Sequence, residues 1–184
     1  AEGYGVERFD VMYNDFVIVG PVADPAGIRG GNPAPEAFAK IAATKSPFVS
    51  RGDDSGTHKK ELSLWGLAGV EVASQSGTWY REAGAGMGAT LNTAAGMGAY
   101  TLSDRATWIS FANKSGIEVL CEGDERLFNP YGVIAVHPGK FPHVKKDAAQ
   151  RFVEWLIGPA GQKAIGDYRR DGQQLFFPNA PGGS

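Results

Sequence analysis

The sequence holds a single cysteine, Cys121, so no disulfide can close within the chain. No apolar run reaches the ~20 residues that a membrane-spanning helix needs. No charged-then-apolar leader opens the chain, which fits a cytosolic protein as well as an exported one already processed. A basic excess is missing too: 18 Lys and Arg stand against 20 Asp and Glu, for a net charge of −2. That argues against broad nucleic-acid binding but leaves room for a local positive pocket. The 3 histidines lack metal-ligand spacing, and no repeat or low-complexity tract is present. Glycine, by contrast, is abundant at 26 of 184 residues. With 42% apolar and 21% charged residues, the chain can build one domain with a real core or two small lobes.

Strand and helix signals alternate. Val11 to Gly20 is a β-branched and aromatic run ended by Gly-Pro, and reads as a strand. A helix is expected from Pro35 through Phe38 and Ile41, then a short buried strand at Pro47 to Ser50. Further helices are expected over Ser55 to Ala68 and Gly88 to Ala95, the second closed by Gly96. Strands at Gly98 to Leu102 and Ile117 to Cys121 flank a short helix at Asp104 to Phe111, and Asn129 to His137 is a further strand. Two helices end the series. The first carries Ala148, Phe152, Trp155 and Leu156, and the second spans Ala160 to Tyr168. Leu175 to Phe177 closes the fold, with 180–184 expected to be loose. The alternation predicts an α/β protein with a mainly parallel sheet. Trp65, Trp108, Phe152 and Trp155 fall at helical spacings and are expected in the core, with Trp79 and Tyr80 at a hinge.

The chemistry concentrates in Ser50 to Glu61, SRGDDSGTHKKE. A strand stops, a polar turn follows, and a helix begins at Ser55-Gly56-Thr57. Free N–H groups at a helix start carry partial positive charge. Gly56 lets a ligand reach the backbone, the Ser55 and Thr57 hydroxyls can donate, and Arg51 adds a charged planar fork. Together they suit an oxyanion. Lys59 and Lys60 sit in the first turn, where the dipole disfavours cations, and a bound anion would offset that cost. Equally, Asp54 or Ser55 could simply cap the helix while Arg51 pairs with Asp53. The residues fit both readings.

The spacing of Arg51 and Ser55-Gly56-Thr57 resembles the second-lobe anion loop of phosphate- and tungstate-type periplasmic binding proteins. The wider sequence is closest to the TupA-type tungstate-binding proteins of ABC importers. The resemblance runs through YNDFVIVGP (Tyr13 to Pro21), SRGDDSGTHKKELSLW (Ser50 to Trp65), GMGATLNTAAGMGAYTLSDRATW (Gly86 to Trp108) and NPYGVIAV (Asn129 to Val136). It implies a type II periplasmic-binding-protein fold, two α/β lobes joined by crossing strands. Lobe two would be residues 16–130, and residues 1–15 and 131–184 part of an incomplete lobe one. The family's first lobe normally begins earlier, with a Thr/Ser-rich loop that supplies the other half of the site, and nothing here matches that loop. Closure around the ligand would complete its hydrogen-bond shell. The implied function is capture of tungstate or molybdate outside the cytoplasmic membrane, in the periplasm or tethered to the membrane, for an ABC permease. Sulfate, phosphate and an enzyme using the Ser-Gly-Thr turn as an oxyanion cradle are the alternatives. The implied protein is a monomer without catalytic residues, metal site, cofactor or nucleic-acid partner, with Arg51, Ser55, Gly56 and Thr57 on the anion.

Tungstate and molybdate are fully deprotonated at neutral pH and need donors only. Asp53 and Asp54 are therefore expected to turn away from the ligand, Asp53 orienting Arg51 and Asp54 supporting the turn. Gly84 to Ala89 superficially meets a dinucleotide-binding glycine pattern, but without a preceding strand or a later acidic partner it reads as a mobile loop into a helix. Arg51-Gly52-Asp53 spells an adhesion tripeptide by chance. Ser55, His58 and Asp54 are too close in sequence to align as a hydrolase triad. Lys145 and Lys146 read as a solvated pair at a helix start.

Overall fold

A computed structural model describes residues 2–181. In chain order the elements are β1 (Gly5–Pro21), α1 (Ala34–Thr44), β2 (Phe48–Ser50), α2 (Gly56–Leu67), β3 (Tyr80–Glu82), α3 (Met87–Met97), β4 (Thr101–Asp104) and α4 (Arg105–Ser110). There follow β5 (Ile117–Cys121), β6 (Phe128–Val136), α5 (Lys146–Ile157), α6 (Pro159–Asp167), β7 (Arg169–Arg170), β8 (Gln173–Gln174) and β9 (Phe177–Pro178). The chain forms two compact units, one of Asp15–Phe128 and one of Ala1–Asn14 with Asn129–Ser184.

The unit of residues 15–128 is built on the second half of β1. Phe16 and Ile18 enter a core with Phe38, Phe48, Trp65 and Tyr80, while Val17 and Val19 enter another with Met87, Leu91 and Ile117. Burial on both faces explains why this stretch reads as an unbroken apolar run. Here β1 pairs antiparallel with β4 on one side and β5 on the other. β2 pairs parallel with β3 and bridges in parallel to Tyr100, just before β4. Four strands therefore share a direction and β1 opposes them, which corrects the expected mainly parallel sheet at its centre. β4, α4 and β5 form an ordinary crossover that spans β1. No strand–helix–strand crossover joins β1 to either neighbour, so alternation along the chain does not fix its direction.

The aromatic centre fixes α1 and α2 on this sheet. Trp65 is 1% exposed and meets Phe38 at 4.4 Å, Phe48 at 5.1 Å and Tyr80 at 6.2 Å, all near edge-on. Edge-to-face geometry adds to area burial, because ring edges and faces carry opposite partial charge. Trp79 packs against this core and Tyr80 lies inside it on β3, so the expected hinge role for the pair is corrected. Three charged or small residues, Arg81, Glu82 and Ala83, hide the strand from an apolar-run search.

In the other unit, β1 pairs with β6, and Met12 and Tyr13 pair with β9. Glu7, Arg8 and Asp10 interrupt the apolar pattern, which is why β1 extends beyond the expected Val11 start. Gln162 is 2% exposed; its amide donates to Val11 O and Leu156 O, each at 3.0 Å, and its oxygen accepts from Ala180 N. That bond pins Ala180, so the expected loose end is corrected there; residues 182–184 lie outside the described residues. A Cβ at Gly161 would stand 2.3 Å from Trp155 O, so only glycine lets α6 start this close to the end of α5. Phe152 and Trp155 are 56% and 50% exposed, against the core role expected of them. They share a face of α5, stacked at 6.0 Å, but α5 buries Val153 and packs on α6. Spacing shows which residues share a face, not which face is covered. Trp108 is half-buried against the second core.

Smaller boundary differences have local causes. α3 continues past Gly96 and ends at Gly98, which caps it in the left-handed region with its N–H on Ala94 O and Ala95 O. A strand, β3, does precede the Gly84 to Ala89 segment, contrary to expectation, and an acid, Asp104, closes the strand after α3. The Asp104 carboxylate is consumed in capping α4, on Thr107 N at 2.8 Å and Thr107 Oγ1 at 2.6 Å. The glycine segment is also held rather than free: Ala85 N donates to Arg51 O at 3.3 Å, and the Thr90 hydroxyl donates to Gly86 O at 3.1 Å.

Candidate functional site

The site grows from the end of β2. Ser50 is fully buried, and its backbone O accepts from Ala83 N at 2.9 Å, tying the strand end to β3. Gly52 then turns the chain at φ +59°, and its N–H donates to Ser50 Oγ at 3.1 Å. A Cβ at Gly52 would lie 2.7 Å from Glu82 Cβ. Asp54 also takes a positive φ, +57°, a conformation its short polar side chain tolerates better than most. Replacing Gly52 by Ala adds a side chain to a left-handed residue and a clash with β3. We expect it to destabilise the protein by about 2–3 kcal/mol, read as a shifted urea midpoint at unchanged slope.

α2 begins at Gly56 with Ser55 as its cap. The Ser55 Oγ accepts from His58 N at 3.3 Å, and Ser55 O accepts from Lys59 N at 2.9 Å. The Ser55 N–H donates to Asp53 Oδ1 at 3.2 Å, while Asp53 Oδ2 pairs with the Arg51 guanidinium Nη2 at 2.5 Å. The Ser55 hydroxyl first, then Arg51 and the Ser55 amide, hold the Asp53 carboxyl down at about 2. It therefore stays ionised throughout the physiological range. The Asp54 carboxylate is 87% exposed, 3.5 Å from Lys59 Nζ, and the Asp54 N–H donates to His58 Nδ1 at 3.0 Å. With His58 and Ser55 used in this way, no nucleophile–base–acid line forms among Ser55, His58 and Asp54.

These are the contacts of an ordinary helix cap and ion pair, and they leave three donors over. Arg51 Nε is buried and has no hydrogen-bond partner among the described residues. The amides of Gly56 and Thr57 find no acceptor among the described residues, as the first turn of a helix dictates. Gly56 has open space around it, since a Cβ there would meet nothing within 4 Å. Thr57 is 7% exposed, below the start of the helix. Arg51 Nε and the Gly56 and Thr57 amides are thus unspent N–H groups within seven consecutive residues, with Ser55 between them in sequence. Lys60 takes no part. Its ammonium reaches away to Arg126 O at 2.9 Å and Phe128 O at 3.2 Å, 5.9 Å over the Phe16 ring. Those carbonyls offset its unfavourable place in the first turn, so the position of Lys60 adds no support for a bound anion.

Sequence reasoning missed the support beneath this loop. Glu61 is 1% exposed and accepts from Tyr80 OH at 2.8 Å and Trp65 Nε1 at 3.1 Å. The Ser50 hydroxyl also favours its charged form. Its position three residues before a tryptophan-bearing turn looks like a solvated helix charge, and only the fold reveals its burial. Among the described residues no cluster of His, Cys, Asp and Glu could hold a metal ion, and no helix is long and apolar enough to cross a membrane.

The PBP superfamily domain matches residues 1–160. A putative ABC transporter anion-binding protein of Haloferax volcanii is 53% identical, covering 97% of this chain and 53% of its own length. A tungstate-binding protein, TupA, of Peptoclostridium acidaminophilum is 45% identical, covering 98% of this chain and 63% of its own length. The chain therefore spans between half and two thirds of these two relatives. The solved structure of the tungstate-binding protein TupA from Desulfovibrio alaskensis G20 superposes with a TM-score of 0.82 at 47% identity, over 97% of this chain and 72% of that one.

Proposed function

Since the chain belongs to the PBP superfamily, we propose that it holds tungstate, or the closely similar molybdate, at the start of α2. The observation that carries this is the set of unspent donors, Arg51 Nε with the Gly56 and Thr57 amides, around a helix start. A fully deprotonated tetrahedral dianion accepts from every donor and supplies none, which matches a turn whose free groups all donate. The relatives' names, an anion-binding and two tungstate-binding proteins, support the same ligand class. The protein is on this reading a binder, not an enzyme. It hands its ligand to the permease of an ABC importer and works outside the cytoplasmic membrane, in the periplasm or tethered there. On this reading the lobes are residues 16–130 and the remainder, bounds within two residues of the compact units 15–128 and 1–14 with 129–184.

Titration calorimetry of the chain with tungstate, beside molybdate, sulfate and phosphate, tests the reading. Tungstate binding well ahead of sulfate and phosphate is the expected result, and no heat with any of the four overturns it.

Asp53 supplies a second check. Asn in its place keeps the shape and the acceptor for Ser55 N–H but loses the charge. Removing a negative charge beside an incoming dianion favours binding, while loosening the hold on Arg51 opposes it. We therefore expect Asp53→Asn to change tungstate affinity by less than about threefold. A much larger gain would mean that Asp53 chiefly repels the ligand.

A further inference from the structure

Glu61 is a buried carboxyl with no cation on it. It is 1% exposed, its hydrogen-bond donors are the neutral Tyr80 phenol and Trp65 indole, and no ion pair to it is present among the described residues. The contrast with Asp124 is instructive, because that acid, 6% exposed, has Arg126 at 3.2 Å. Glu61 also lies on the helix whose first turn offers the free amides. It follows Thr57 by four residues, about 6 Å along the axis at 1.5 Å per residue. The loop bears on it as well: Gly52 N–H donates to Ser50 Oγ, and the Ser50 hydroxyl favours the charged form of the Glu61 carboxyl. The titratable groups that act on it are Tyr80 on β3 and His58 on α2, and Glu82 on β3 acts in turn on Tyr80.

A dianion arriving one turn away meets this carboxylate through a low-dielectric core, where like charges repel far more than in water. Protonating Glu61 from solvent removes that repulsion and leaves the hydrogen bonds to Tyr80 and Trp65 in place. We propose that binding of an oxyanion at the start of α2 is coupled to uptake of a proton by Glu61. The coupling rests on the anion-site reading given above. Burial already raises the Glu61 carboxyl above the usual carboxylate range, against the lowering by its hydrogen bonds and by His58. The free protein is thus poised to take the proton.

Two measurements test the coupling. The first needs no ligand. A carboxyl raised in the folded state contributes its stability fully below the unfolded value and loses it as pH rises through the folded one. Wild type should therefore lose stability relative to Glu61→Gln as pH rises above the ordinary carboxylate range and through the raised Glu61 value. A constant difference overturns the proposal whatever tungstate does. The second is calorimetry with tungstate at neutral pH in two non-phosphate buffers of different ionisation enthalpy. Wild type should give buffer-dependent heats equivalent to a fraction of a proton taken up per anion, and affinity should weaken as pH rises through the raised Glu61 value. Glu61→Gln should bind with the same heat in both buffers, and His58→Gln should keep the wild-type uptake. Heat without buffer dependence, or uptake lost with His58 instead of Glu61, overturns the coupling alone. No heat in any buffer overturns the anion site and the coupling with it.

Discussion

Arg51→Ala should lower tungstate affinity by about two orders of magnitude, and Arg51→Lys should recover only part of the loss. Hydrogen bonds to charged groups are worth about 1.5–3 kcal/mol, and truncating one member of a desolvated charge pair costs about 2–5 kcal/mol. With 1.4 kcal/mol for each factor of ten, the alanine variant loses about a hundredfold. Lysine separates the two contributions of Arg51. It keeps a positive charge but has nothing in place of Nε–H, the donor that stands buried and unpaired. Its ammonium can also fold back onto Asp53, the acid that now pairs with the guanidinium. An intermediate affinity in calorimetry, with an unchanged far-UV spectrum, is therefore the expected result. Wild-type affinity in Arg51→Lys would take Nε out of the site, and wild-type affinity in Arg51→Ala would move the site elsewhere.

The loop that carries these donors was legible in the sequence because its chemistry is local. Strand end, polar turn, small residues and helix start occupy eight consecutive positions, Ser50 to Thr57, and each states its role without help from distant residues. Ser55 as the cap, Asp53 on Arg51 and an exposed Asp54 all follow from contacts within five residues. Glu61 was not legible, because its burial depends on Tyr80 nineteen residues on, and on a strand too short and polar to announce itself. Lys60 misled for the same reason, since its partners lie 66 and 68 residues away. Direction in the sheet was hidden too. Apolar runs locate β1, β4 and β5, but only the ladders show that β1 runs against both neighbours. Phe152 and Trp155 erred the other way: their spacing gave the right helix and said nothing about which side meets solvent.

The largest effect on stability should come from Trp65→Ala. Trp65 closes the aromatic centre of the unit, with Phe38, Phe48, Trp79 and Tyr80 all within 6.2 Å between ring centroids. It is 1% exposed, so truncation removes its apolar burial and leaves a cavity that four rings on separate elements cannot all move to fill. Substitutions of this kind cost about 3–5 kcal/mol, a large share of the 5–15 kcal/mol that holds a domain together. Trp65 also donates to Glu61 through Nε1 at 3.1 Å, so the loss leaves a buried carboxyl with one donor fewer. Glu61 should then hold its proton more firmly, because a hydrogen bond that favours the charged form has gone. Urea unfolding should show a midpoint lowered by an amount worth about 3–5 kcal/mol, with the slope unchanged. Trp65→Phe should recover most of the loss in packing but not the donor to Glu61. If Trp65→Ala unfolds within about 1 kcal/mol of wild type, the aromatic cluster is not what fixes α1 and α2 on the sheet.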